Sequence, residues 1–69
     1  MSVLDRMAEL LGPPVPALNR GLGSMSYLIA LPLGMSPTAP ALVAARAYLT
    51  ARGIRHTREG DNLIFEVSC

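Results

Sequence analysis

Arg52, Arg55, His56 and Arg58 fall within seven positions, and Arg46 lies about two helical turns before Arg52. Arginine presents a planar, permanently charged fork of donors, which grips phosphate or carboxylate groups in bidentate fashion. These five residues are therefore the candidate partner-binding set. A plainer expectation stands beside it: the arginines cluster near a helix C-terminus, where cations are favoured. Glu59, Asp61 and Glu66 are close enough in sequence to neutralise much of their charge.

No other residue set carries recognisable chemistry. His56 is the one histidine and has no assigned partner to make it a general base, and Ser24, Ser26 and Ser36 have no base-plus-orienter set to activate them. Gly34-Met35-Ser36-Pro37-Thr38 joins an expected strand to a helix start, where anions bind in α/β units. It has no lysine, however, and Pro37 and Pro40 remove two of the amides needed. Gly21-Leu22-Gly23 imitates the opening of a dinucleotide fingerprint but precedes its strand instead of following it. Cys69 is the only cysteine, which excludes an intrachain disulfide and a thiol–imidazole metal cluster. The expectation is a protein with no catalytic residues, no cofactor and no metal, and not an enzyme.

What must position the arginines is a chain of 69 residues, read as one domain. Only 16% of its residues are charged, against a typical ~25%, and mean hydropathy is +0.37. A core of this size supplies roughly 3–5 kcal/mol, so apolar burial against another copy or another protein is the expected source of extra stability. The net charge of +1 is no electrostatic footprint for nucleic acid or an acidic membrane. Residues 21–45 contain no charge at all, yet Pro32, Pro37 and Pro40 interrupt them, so a membrane-spanning helix is not expected. Asp5, Arg6 and Glu9 break the apolar run a signal peptide needs, so the expected location is the cytoplasm, where Cys69 would be a free thiol.

Local signals then give the elements. Ser2 caps a helix with Asp5 three residues on, Val3, Leu4, Met7, Leu10 and Leu11 recur at helical spacing, and Gly12-Pro13-Pro14 stops it. Residues 12–24 read as a loop with a short turn near 17–19. Residues 27–31 are apolar at consecutive positions, as in a strand covered on both faces. Large side chains fall at odd positions from 25 and small ones at even positions except Leu28, and Pro32 marks the end. A second helix, capped by Thr38 with Pro40 in its first turn, runs to Arg52, where Gly53 ends it in a left-handed conformation and Ile54 packs back on Leu49. Residues 54–67 form a hairpin about Glu59-Gly60-Asp61-Asn62, with Leu63, Phe65 and Val67 on one face. Leu42, Leu49, Ile29, Leu31, Phe65 and Val67 are the expected core, closed on one side by Leu4 and Met7.

Helix, strand, helix, hairpin is an α+β fold of order α-β-α-β-β, with the strand before the second helix and the strand after it running parallel. If residues 25–33 are instead helical, then Ile29, Ala30, Leu33, Gly34, Met35 and Ser36 resemble the helix-turn segment of winged-helix regulators. That resemblance implies a recognition helix ending at Gly53-Ile54, a wing over residues 55–67, and a nucleic-acid-binding regulator. Pro32 inside a helix costs about 3 kcal/mol, and the supposed recognition helix offers alanines where base-reading side chains belong. The sheet is therefore preferred. The functional expectation is a small non-enzymatic protein–protein interaction module: a subunit, adaptor or inhibitor, of a kind phages and mobile elements encode, acting in the (host) cytoplasm. It buries apolar surface against itself or a partner; a nucleic-acid binder and a membrane-associated protein are the alternatives.

Overall fold

A computed structural model describes residues 2–17 and 24–68. Helix α1 (Val3–Leu10) starts at Ser2, whose Oγ accepts the Asp5 amide at 3.1 Å. It ends where the amides of Leu11 and Gly12 both turn back to the Met7 carbonyl. Two strands follow, β1 (Val15–Pro16) and β2 (Ser24–Ala30), then helix α2 (Pro40–Ala51), β3 (His56–Glu59) and β4 (Asn62–Ser68). The α+β class and the succession helix, strand, helix, hairpin stand as expected. β1 is an addition inside what the prolines and glycines mark as loop. The turn expected near residues 17–19, the Gly21-Leu22-Gly23 motif and Cys69 lie outside the described residues.

The four strands form one antiparallel sheet in the order β1-β2-β4-β3. Strands β2 and β3 point the same way, as the crossover through α2 requires, but β4 lies between them and pairs with both. Strand β2 occupies residues that the winged-helix arrangement needs as helix, which overturns that arrangement. Pro32, just beyond β2, has no ladder position to spoil.

Both helices pack on one face of the sheet. Met7 from α1 and Leu42, Ala45 and Leu49 from α2 meet Ile29, Leu63 and Phe65 from the central strands, with Leu31 beside them, all buried. The Tyr27 and Phe65 rings stack across the β2–β4 pair with centroids 5.8 Å apart. Val67 is only half-buried near the end of β4, and Leu63 takes the fully buried place instead. Leu4 packs against the margin of this core.

The ends of α2 differ from each other in kind. At its start the N-cap is Ala39, not Thr38, and no side chain caps it. Thr38 is held one residue too early, with its amide donated to Ser36 Oγ at 3.2 Å. Pro40 at the first helical position has no amide to satisfy, so a cap matters less. At its end Gly53 has φ +69°, its amide bonds to the Thr50 carbonyl (3.0 Å) and the Ile54 amide to that of Leu49 (2.9 Å). This pair of bonds is the Schellman closure, and it delivers the chain into the segment that carries Arg55, His56 and Arg58.

Candidate functional site

The arginine set does not converge on one surface. Arg46 is exposed on the outside of α2. Arg52 caps the end of that helix and lays its guanidinium 4.5 Å from the centre of the Tyr48 ring, a cation–π contact that occupies its planar face. On β3 the alternation of side chains separates the rest. His56 and Arg58 pair with Phe65 and Leu63 on the helix side. His56 Nδ1 donates to the Ile54 carbonyl at 3.0 Å. Arg58 Nε donates to the Gly60 carbonyl at 2.8 Å, and its Nη2 lies 3.8 Å from Asp61 Oδ1. These contacts make Arg58 a brace of the β3–β4 turn. Arg55 alone belongs to the opposite face, where it is exposed and its carbonyl accepts the Glu66 amide at 3.1 Å.

That opposite face carries neither helix, and its described side chains form three rows across the strands. The central row runs Val15, Leu28, Ile64, Thr57, one residue from each strand in direct register. Val15 is 52% exposed, Leu28 and Ile64 are half-buried, and Thr57 is exposed, so the row is apolar and reachable by solvent. One flanking row holds Ala30, Asn62 and Glu59. The other holds Ser26 and Glu66, continued by Arg55 through its backbone bond to Glu66 and by Ala17 through its amide bond to the Ser26 carbonyl (2.8 Å).

A hollow of about 410 Å³ lies on this face, bordered by Ser26, Arg55, Thr57, Glu59, Ile64 and Glu66 among others, and His56 and Phe65 reach its border from the helix side. It mixes one guanidinium, two carboxylates and a buried serine hydroxyl around an isoleucine. Among the described residues no hydrogen bond joins Ser26 to His56, and no group of three or more His, Cys, Asp or Glu side chains is arranged to hold a metal ion. The arrangement offers contact surface of mixed charge around an apolar strip.

Of the candidate partner-binding set, the face carries Arg55, with His56 at the border of its hollow. Leu28, Ile64, Thr57 and Glu66 were missed as site residues because their importance comes from register. Strand alternation tells which of them share a side, but only the pairing of β1, β2, β4 and β3 lines them up.

Both edges of the sheet are poor places for another strand to add. Strand β1 is two residues long, with Pro13 and Pro14 before it and Pro16 within it. Strand β3 is four residues long and carries Arg58 and Glu59, with Arg55 just before it. Short, charged or proline-bearing edges resist edge-to-edge pairing. Among the described residues no helix is long and apolar enough to cross a membrane. Comparison with protein-family models, with curated proteins and with solved structures finds no match to this chain.

Proposed function

We propose that the protein is a non-enzymatic protein–protein interaction module, a small subunit, adaptor or inhibitor that works by burying the helix-free face of its sheet. The observation that carries this reading is the in-register row Val15–Leu28–Ile64–Thr57, which puts apolar side chains from three strands on a face that neither helix covers. In an antiparallel sheet with one solvated face, that face ordinarily carries polar residues. Here its two central positions are leucine and isoleucine. The blunted edges direct association to the face, and the scattered arginines leave no basic surface that a phosphate backbone could follow.

The test compares the full chain with a Leu28→Thr/Ile64→Thr variant by sedimentation velocity from about 10 µM to about 1 mM, a range that covers weak interfaces. Threonine keeps strand propensity while removing apolar bulk, and circular dichroism monitors the fold. Association in the parent chain that disappears in a folded variant is the expected result. Association that persists unchanged in the variant rules out the helix-free face as the binding surface.

A further inference from the structure

Resting on the interaction-module reading, we propose that the occupant of the helix-free face is a second copy of this chain, packed face to face about a two-fold axis that runs along the Val15–Leu28–Ile64–Thr57 row. Three features of this face point there together. The first is the apolar row itself, which under this symmetry meets its own image. The second is charge. A rotation about that row exchanges the two flanking rows, so Arg55 of one copy stands over Glu59 of the other, and Glu66 over Asn62. Each guanidinium then meets a carboxylate and each remaining carboxylate an amide, twice over by symmetry. The third is that Arg55 and Glu59 are both exposed and lie about 13 Å apart along their segment, so that Arg55, whose neighbour within the chain is Glu66, leaves Glu59 open to a second guanidinium.

The charge pattern also selects this axis over its rival. An axis parallel to the strands lays β3 over β1, which sets Arg55 above Ala17 and gives the guanidinium no carboxylate from the other copy, only its own cross-strand neighbour Glu66. An isologous contact must be self-complementary, and only the first arrangement satisfies both signs. The footprint is modest. Four strands about 4.8 Å apart and three rows about 7 Å apart cover roughly 400 Å² of flat area, below the ~800 Å² per partner of a standard interface. The dimer therefore belongs with weak, concentration-dependent associations.

The experiment is a charge swap by mixing, read by sedimentation equilibrium on full chains whose fold is checked by circular dichroism. Arg55→Glu places negative charges at both 55 and 59 of this face, and Glu59→Arg places positive charges at both. Each alone should dimerise roughly tenfold or more weakly than the parent chain, because like charges now face each other. An equimolar mixture of the two should form a mixed dimer, and the double variant R55E/E59R should recover the parent's affinity. A parent dimer that neither variant weakens, or single variants that fail to recover on mixing, overturns this pairing while leaving the interaction-module reading in place. A parent chain that is folded and monomeric at the highest concentration overturns the second copy as occupant, and confines that reading to a different protein.

Discussion

Asp61 Oδ1 accepts the Gly34 amide at 3.2 Å across 27 positions of sequence. The Asp61 carbonyl also accepts the Leu31 amide at 2.7 Å, and its carboxylate faces Arg58 Nη2 at 3.8 Å. One aspartate thus ties the turn after β2 to the turn between β3 and β4. Asp61→Ala should cost about 1 kcal/mol in urea unfolding, the usual net value of such a hydrogen bond. Asp61→Asn should cost less, since its amide oxygen can still accept from Gly34. Equal losses in the two variants would show that the charge facing Arg58, and not the Gly34 bond, is what matters.

Gly53 holds φ +69°, and a Cβ placed there meets nothing within 4 Å. Strain in the backbone is then the whole penalty for Gly53→Ala, on the order of 1 kcal/mol. A neutral result in chemical unfolding would show that the left-handed closure after α2 relaxes without loss, and would separate Arg55 from a fixed entry into β3.

Leu49 is fully buried, and its carbonyl also receives the Ile54 amide. Leu49→Ala should cost about 2–5 kcal/mol, comparable with the roughly 3–5 kcal/mol that a core of this size supplies. The variant should therefore be largely unfolded by circular dichroism at room temperature. A cooperative melt close to that of the parent would contradict the placement of α2 on the sheet.

Arg55 and Arg58 should behave differently on truncation. Arg58 is braced against Gly60 and Asp61 with its side chain 21% exposed, so Arg58→Ala should lose about 1 kcal/mol of stability. Arg55 is exposed on the helix-free face, and Arg55→Ala should change folding stability by less than about 0.5 kcal/mol. Its effect should appear in association. Urea midpoints for the two variants check this directly, and equal midpoints would remove the distinction between brace and contact.

Much of the fold was legible because local chemistry and packing agree. Ser2 and Gly12-Pro13-Pro14 bound α1, Gly53 bounds α2, and Pro32 closes β2. The charge-free stretch supplies central strand β2 and the first half of α2, each with one face in the core, but the connection between them is exposed, Leu33 to 92%. Strand β1 was not legible: Pro13, Pro14 and Pro16 mark a loop, and two residues become a strand only because β2 is there to pair with them. The N-cap at Ala39 was hidden because Thr38 satisfies Ser36 instead. The opposed facing of Arg55 and Arg58 follows from alternation along one strand, whereas the capture of Arg58 by Gly60 and Asp61 depends on the geometry of the turn. The rows of the helix-free face depend on pairing order, with β4 between β2 and β3, and no periodicity within one strand encodes that.

Association through the helix-free face of the sheet is the proposal on which the function rests. Amide chemical shifts of the isotope-labelled full chain, followed from about 20 µM to about 1 mM, test it residue by residue over the range of weak association. The expected result is concentration-dependent shifts centred on Leu28, Ile64 and Thr57 and reaching Arg55, Glu59 and Glu66, with the outer side of α2 at Val43 and Ala47 unmoved. Shifts centred on Val43 and Ala47 instead, with Leu28 and Ile64 constant, would contradict it.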